Sequence, residues 1–350
     1  MPLHYNKTNT MGIRGLNTCI IKTAPHTITN VEWTDWSGKR VGVDIQCFLY
    51  RALATHLAPI DIIAAQIAHF RALNIEPVYV FDGKPPAEKD SVVNKRKLDR
   101  SDALKRCDEL RLSLNHETCA ENRDSILAKI REIEAEFPNL TYEMKDEIKK
   151  FLYACGAMFV SPTCEADSIL AYWCKHGILD GVVSFDLDFI PRGCNLLVPK
   201  HITAVPGTPW NYFNPAKIIR GLSLDESRFI DLCILMGSDY TPSLPIVPWK
   251  MALTSLQRSE SICDIWARHT FCNWRRKDSQ ERLESELEMF CRAKMILKGF
   301  GDTPESLMEG IQWSKWDAGI QKPEENTLIE FRKTHADWSP QWWGLFMRRV

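Results

Sequence analysis

The chain has 350 residues, of which 45% are hydrophobic and 25% are charged, and its formal net charge is −1 at pH 7. This hydrophobic fraction supports a packed core and excludes a chain that is disordered throughout. The balanced net charge says nothing about nucleic-acid binding, which only a local cluster of basic residues could indicate. No apolar run approaches the ~20 residues of a membrane helix, and the N-terminus lacks a signal-peptide core. We therefore expect a soluble, intracellular protein without a membrane span.

The 12 cysteines stand singly, and no C-x-x-C pair occurs among them. Most of them lie in apolar or helical contexts, as in "DIQCFLY" and "DLCILM". This usage favours reduced thiols in the core over zinc sites or disulfides.

Strands alternate with helices along the first 250 residues. Apolar runs predict strands at 40–44, 76–82, 157–162 and 182–190. Helical patterns are predicted after the first strand and at 60–70, 87–111, 120–136, 142–155, 165–178 and 226–237. This alternation predicts the α/β class, with a mostly parallel central sheet flanked by helices on both faces. Beyond about residue 255, helical spacing at 283–297 predicts a helical C-terminal region, 256–350, packed on the main domain.

Acidic residues follow the predicted strand ends. The residues concerned are Asp44, Asp82, Glu165, Asp167, Asp186 and Asp188, with Asp239 just after a helix. Because ligands of open α/β sheets bind beyond the carboxyl ends of the strands, these side chains could point into one crevice.

Two pairs of acids make the pattern more specific. In "VVSFDLDFI", Asp186 and Asp188 are two residues apart in a predicted strand, so both would face the same side and repel. Glu165 and Asp167 do not share a helical face, so they can converge only if they straddle a helix start. A single Asp in such a place is more often a helix cap or a solvated loop residue.

A site built from this many carboxylates suits a hard divalent cation. Mg²⁺ fits oxygen-only ligands, Mn²⁺ can substitute, and no His or Cys cluster competes. Two such ions about 4 Å apart would suit hydrolysis of a phosphodiester. The positive charge between Asp186 and Asp188 is therefore predicted to be a metal ion.

Basic residues follow Asp82 within a charged, helix-prone segment. Lys89, Arg96 and Arg100 would fall within about 40° of one another on a helix. A solvated helix with mixed charges explains this segment taken alone, but beside the acids a clamp for phosphate is the better explanation. Tyr50 could stack on an unpaired base, although a core aromatic is the simpler interpretation.

Several stretches together resemble the flap endonuclease family, the structure-specific nucleases that include the xeroderma pigmentosum group G type. The stretches are "MGIRGL", "VGVDIQCFLY", "YVFDGKPP" with "KRK" following, "EADS", "SFDLDF" and "FIDLCILMGSDY". The resemblance implies a PIN-like 5′-nuclease fold over residues 11–250. It also implies a helical arch at 84–140, under which a single-stranded 5′ flap threads, and a helix–two-turn–helix region at 228–255.

The resemblance also implies roles for individual residues. One metal ion would be held by Asp44, Asp82, Glu165 and Asp167, and a second by Asp186, Asp188 and Asp239. Lys89 and Arg96 would be catalytic, and the DNA-binding set would comprise Gly12, Tyr50, Arg100 and Lys250.

Three departures from the family pattern stand out. Residues 1–10 precede Met11, where family members begin, so they form an extension expected to be disordered, and Met11 is an alternative start. In "SLPIVPWK", Ile246 and Pro248 replace expected glycines, which puts duplex contacts and a potassium site in doubt. "QWWGLF" has Gly344 where a sliding-clamp motif needs an aliphatic residue. This divergence is typical of a viral or otherwise specialised member.

The sequence thus predicts a monomeric, Mg²⁺-dependent DNA endonuclease that cuts near single-strand/duplex junctions of branched or flapped DNA. It would act in replication, repair or recombination, in the nucleus or, for a viral protein, the host nucleus. The alternatives are a nuclease of the same fold acting on nicks, bubbles or junctions, with 5′→3′ exonuclease action, and an inactive DNA-binding scaffold. The full set of acids argues against the scaffold.

Overall fold

A computed structural model describes residues 12–202, 209–241, 244, 246–270 and 279–299. Its centre is a sheet with the strand order β1-β7-β6-β5-β2-β3-β4. The strands are β1 (Ile28–Asn30), β2 (Arg40–Asp44), β3 (Glu76–Val80), β4 (Met158–Val160), β5 (Gly181–Val183), β6 (Leu196–Pro199) and β7 (Trp210–Phe213). The pairings from β4 through β6 are parallel, and both pairings of β7 are antiparallel.

Helices surround the sheet. They are α1 (Leu16–Thr23), α2 (Ile45–Ala54), α3 (Pro59–Ala72), α4 (Asp90–His116), α5 (Ala120–Glu136), α6 (Tyr142–Ala154), α7 (Ala166–Lys175), α8 (Pro215–Gly221), α9 (Glu226–Leu235), α10 (Trp249–Gln257), α11 (Ile262–Thr270) and α12 (Ser279–Leu297). In the described part of the chain, no helix is long and apolar enough to cross a bilayer. The predicted extension 1–10, Met11, and the "QWWGLF" motif lie outside the described residues, as does everything from residue 300 onward.

The sheet is buried on both faces because its strands are apolar at successive positions. Val78 packs into a core on one face and Tyr79 into a core on the other. Val182 and Val183 divide between the same two cores. Near-continuous apolar strands of this kind are typical of parallel sheets covered by helices on both sides, so the predicted α/β class is confirmed.

The strand predicted over 182–190 is wrong beyond Val183. After β5 the chain turns into a short 3-10 helix at Leu187–Phe189, for which Asp186 is the N-cap. The Asp186 side chain accepts a hydrogen bond from the Asp188 N–H at 2.9 Å. Such local side-chain bonding offers the backbone an alternative to the sheet ladder, so the two acids converge through a turn and not through strand alternation.

The strands β1, β6 and β7 were absent from the sequence prediction. Each has only three or four residues. Segments this short carry too little periodicity to be told from loops. They extend the sheet on the side away from β4, so they do not alter the edge where the acids lie.

The four strands that precede the predicted acids are neighbours in the sheet, in the order β5-β2-β3-β4. Because these strands are parallel, their carboxyl ends share one edge of the sheet, which is where ligands of open α/β sheets bind. At this edge the backbone of Gly83 donates to the carbonyl of Cys164 at 2.8 Å, and that of Lys84 donates to Thr163 at 2.8 Å. These bonds bring the loop after β3 against the loop after β4.

Gly83→Ala is expected to push these two loops apart. A Cβ at this position would overlap the carbonyl oxygen of Pro162 and lie 2.6 Å from that of Cys164, and backbone atoms cannot move aside cheaply. Overpacking of this kind costs about 1–3 kcal/mol, so thermal unfolding should occur several degrees lower. Lys84→Ala, at the exposed next position, is the control and should leave the melting temperature unchanged. Equal melting temperatures for both variants would contradict the close approach.

Candidate active site

The end of β2 is joined to the end of β5 through one hydroxyl. Asp44 is the N-cap of α2, and its Oδ1 lies 3.5 Å from the Cys47 nitrogen. Its Oδ2 accepts from Ser184 Oγ at 2.8 Å, and the same hydroxyl oxygen accepts the Asp186 N–H at 3.0 Å. Ser184 therefore fixes the spacing between Asp44 and Asp186, a role that nothing in the sequence pattern indicated.

The ends of β3 and β4 meet at the start of α7. Asp82 Oδ1 accepts the N–H of Ala166 at 3.0 Å, where carboxylates are favoured by the helix dipole. Glu165 is the N-cap and Asp167 lies in the first turn, so the pair straddles the helix start as expected. Lys89 Nζ lies 2.8 Å from Glu165 Oε2 and 3.7 Å from Asp167 Oδ2.

Gly12 completes the site from the N-terminal side. The N–H of Ile13 donates to Asp188 Oδ1 at 2.8 Å, which draws this segment against the acids. Gly12 has a φ of +84°, and a Cβ there would overlap Asp186 Oδ1 and lie 2.5 Å from Asp188 Oδ1. Glycine is therefore required both by the backbone conformation and by the closeness of the carboxylates.

Asp239 follows α9 and is held by the helix α4. Arg96 Nη2 lies 2.8 Å from Asp239 Oδ2, with side chains that are 48% and 24% exposed. An ion pair this open to solvent is worth little on its own. It nevertheless shows that the basic side of α4 lies directly over the acids.

The acids lie close enough to repel one another. Burial first, and then the charges of Asp82 and Asp167, raise the pKa of Asp44 to about 8. Burial is also the main cause at Asp188, where it raises the pKa to about 6. The charge of Lys89 lowers this pKa, and the charges of Asp167 and Asp239 raise it. Negative charges from four strand ends thus act on one another in one poorly solvated crevice.

Two buried cations offset part of this charge. Lys89 is 7% exposed, and its Nζ also lies 4.6 Å from the centre of the Tyr240 ring. Arg192 is 6% exposed and donates from Nη2 to the Tyr240 hydroxyl at 2.5 Å. Burial lowers the pKa of Arg192, but Tyr240, Asp167 and Asp188 outweigh it and raise the pKa. Sequence reasoning missed Arg192, although a lone arginine after the apolar run "DFIP" was the available signal.

The donor set fits hard divalent cations, because all seven predicted ligands offer carboxylate oxygens. Asp186 and Asp188 pack one oxygen each against the Gly12 backbone, so both carboxylates are held in place at the edge of the sheet. Within the described ranges, no three His, Cys, Asp or Glu side chains are yet gathered at metal-binding spacing. Lys89 and Arg96 engage Glu165, Asp167 and Asp239 instead, so the positive charge facing these acids is supplied by the chain itself.

The predicted DNA-binding residues divide into two places. Tyr50 is half-buried on α2, and the Arg100 guanidinium carbon lies 5.4 Å from its ring centre. Lys250 lies in the first turn of α10, with its Nζ 5.7 Å from the Trp249 ring. No described contact joins Lys250 to the acids. The structure therefore brings Tyr50 and Arg100 together, whereas Lys250 stands apart from this pair on α10.

Comparisons with known proteins find relatives of this chain. Family models described as the XPG N-terminal domain and the XPG I-region match residues 11–103 and 156–239. Flap endonuclease 1 of Aedes aegypti is 30% identical over 268 residues, which cover 72% of this chain and 67% of that protein.

Solved structures with the same fold include two proteins in complex with DNA. The catalytic core of Rad2 in complex with DNA substrate has a TM-score of 0.59 and 17% identity, covering 97% of this chain and 99% of that one. The Holliday junction-resolving enzyme GEN1 in complex with product DNA, Mg²⁺ and Mn²⁺ has a TM-score of 0.56 and 15% identity, covering 90% and 71%. At these identities the likeness confirms the fold expected from the sequence.

The burial of Asp44, together with the charges of the neighbouring acids, predicts an unusual pH dependence for the metal-free protein. The pKa of Asp44 is about 8 in the folded chain against an ordinary 3.8, so folding raises the affinity of this carboxylate for a proton. Its contribution to stability is therefore present below about pH 4 and is lost as the pH rises towards 8. Asp44→Asn keeps the helix cap and removes this charge. In EDTA, it should melt several degrees above wild type at pH 8, and the difference should shrink steadily as the pH falls towards 4.

Differential scanning calorimetry across this pH range provides the measurement. Asp146→Asn, a substitution in a surface ion pair with Lys150 on α6, is the control and should follow the wild-type curve at each pH. A constant offset between Asp44→Asn and wild type from pH 5 to pH 8 would contradict the raised pKa that burial and the neighbouring acids give Asp44.

Proposed function

The chain belongs to the XPG family of flap endonucleases, and we propose that it hydrolyses DNA phosphodiesters near single-strand/duplex junctions, with 5′ flaps as substrate. The observation that carries this proposal is the gathering of acids from four neighbouring strand ends under a basic helix. A scaffold that only binds DNA would gain nothing from carboxylates that repel the backbone phosphates.

Two divalent cations, Mg²⁺ with Mn²⁺ as a substitute, are proposed as cofactors. Asp44, Asp82, Glu165 and Asp167 would hold one, and Asp186, Asp188 and Asp239 the other. When bound, the cations supply the positive charge that activates water and stabilises the leaving oxygen of a phosphodiester. GEN1, which shares the fold, has been solved with both of these metals, and this supports the choice.

Lys89 and Arg96 are proposed to stabilise charge on the scissile phosphate. Both now pair with carboxylates, at 2.8 Å in each case. If cations held those carboxylates, the ammonium and guanidinium groups could donate to phosphate oxygens from the same side. Tyr240 supports Lys89 through its ring, and Arg192 in turn holds the Tyr240 hydroxyl. Donors fixed in this way are already oriented when charge develops, which is the main source of electrostatic catalysis.

Gly12, Tyr50, Arg100 and Lys250 are proposed to contact DNA. The uncovered backbone at Gly12 would let the strand approach Asp186 and Asp188. Tyr50 offers a ring for stacking on an unpaired base, and Arg100 a charge for the adjoining phosphate. Lys250, exposed on α10, would contact duplex phosphates away from the acids.

Nicks, bubbles and junctions are the second group of candidate substrates. Ile246 and Pro248 occupy the turn before α10, where Ile246 is 43% exposed and Pro248 has no N–H to donate to a phosphate. This weakened duplex contact keeps nicks, bubbles and junctions open as alternatives to the flap. We further propose that the protein acts as a monomer in DNA replication, repair or recombination, in the nucleus or a host nucleus.

Asp186→Ala is expected to abolish cleavage and leave DNA binding largely intact. Loss of residues that merely support a metal ligand already costs about 10–100-fold, so loss of a ligand should exceed that range. Cleavage of a 5′-flap duplex in Mg²⁺, and binding measured by fluorescence anisotropy in EDTA, separate the two effects. Asp146→Ala serves as the control. Cleavage by Asp186→Ala at the wild-type rate would refute the metal assignment.

The same assay on flap, nick, bubble and junction DNA tests substrate choice. Cut positions mapped to the single-strand/duplex junction of the flap, with slower cutting elsewhere, are the expected result. Faster cutting of nicks or bubbles than of flaps would show that the second group contains the preferred substrate and that the flap does not.

A further inference from the structure

Three cations face one another between α4 and α6, beside the acids. Arg100 lies on α4, and Lys145 and Lys149 lie one helical turn apart on the same face of α6. All three are half-buried, whereas the next residue, Lys150, is exposed and pairs with Asp146 at 2.7 Å. We call Arg100, Lys145 and Lys149 the arch–α6 cluster.

Aromatic rings and buried donors surround this cluster. The Lys149 Nζ lies 4.9 Å from the centre of the Phe81 ring, and Arg100 lies over Tyr50. Arg100 Nε is buried without a hydrogen-bond partner. Among the residues that the structure describes, no member of the cluster has a carboxylate within ion-pair distance.

The cluster is electrostatically unfavourable without a ligand. Burial lowers the pKa of Lys145; Asp82 opposes this effect, and Lys149 and Arg100 lower the pKa further. Half-buried cations that repel one another, and a buried N–H without an acceptor, are both costly unless an anion joins them. A charged helix that serves only solubility would direct these groups into solvent and pair them with acids, as Lys150 is paired.

We propose that the arch–α6 cluster binds a phosphate group of the single strand, one nucleotide away from the phosphate that faces the acids. This inference rests on the proposed function, because it requires a single strand of DNA that passes Asp82. A phosphate carries several acceptor oxygens, so it can accept from the guanidinium and from both ammonium groups at once. Phe81 and Tyr50 present ring faces on which the adjoining bases can stack.

Binding of 5′-flap DNA tests the cluster directly. The variants are Lys145→Met, Lys149→Met and the double variant of the full chain, with Lys150→Met as the matched control. Fluorescence anisotropy in EDTA at several salt concentrations should show about 10-fold weaker binding for the double variant. The slope of log affinity against log salt should become shallower by about 0.7 for each phosphate that the variant no longer neutralises. The control should match wild type.

Two flaps that differ at the end, a 5′-phosphate and a 5′-hydroxyl, identify the source of the phosphate. Weaker binding of both flaps by the double variant assigns the cluster to an internal phosphodiester, and weaker binding of the phosphorylated flap alone assigns it to the terminal phosphate. A double variant that binds both flaps as tightly as Lys150→Met overturns the inference. So does an equal loss on blunt duplex without a flap, since the cluster would then contact the duplex.

Two further measurements keep the outcome unambiguous. The melting temperatures of the lysine variants without DNA should equal or exceed that of wild type, because a repulsion is removed, so weaker binding cannot be ascribed to unfolding. Wild-type cleavage of the same flap in Mg²⁺ is measured in parallel. Failure of wild type to cut refutes the proposed function, whereas wild-type cutting with a double variant that behaves like the control refutes only the arch–α6 cluster.

Discussion

Repulsion among carboxylates at one edge of the sheet is the constraint on which the rest of the structure depends. Folding brings these acids together because the strands before them are neighbours, and burial then makes their charges costly. Cations of the chain itself offset part of this charge. Lys89 and Arg96 pair with the acids, and Arg192 donates to the Tyr240 hydroxyl. If metal ions held the acids, these cations could exchange their carboxylate partners for phosphate oxygens. The same groups that support folding would then be available for function.

Small and uncharged residues decide how closely the acids approach. Ser184 joins two strand ends through one oxygen, Gly83 allows two loops to meet, and Gly12 allows two carboxylates to pack directly against its backbone. These positions contribute no charge and perform no chemistry. They set the distances between groups that do, so their effect on function is indirect but large.

Much of the fold and of the candidate site was predictable from the sequence. The bounds of β2 and α5, and the straddling of the α7 start by Glu165 and Asp167, follow from apolar patterns and cap positions that act locally. The turn at Asp186 was not predictable, because a side-chain hydrogen bond overrode the strand preference of its apolar neighbours. Arg192 was also missed, because its contacts with Tyr240 depend on tertiary packing.

A crystal structure with Mn²⁺ would decide whether the acids at the strand ends bind metal, because the anomalous signal locates each ion. We expect two peaks about 4 Å apart among these acids, with Lys89 Nζ moved beyond ion-pair distance of Glu165. Peaks confined to other surfaces, or a Lys89–Glu165 contact that stays at 2.8 Å with both ions bound, would contradict this expectation.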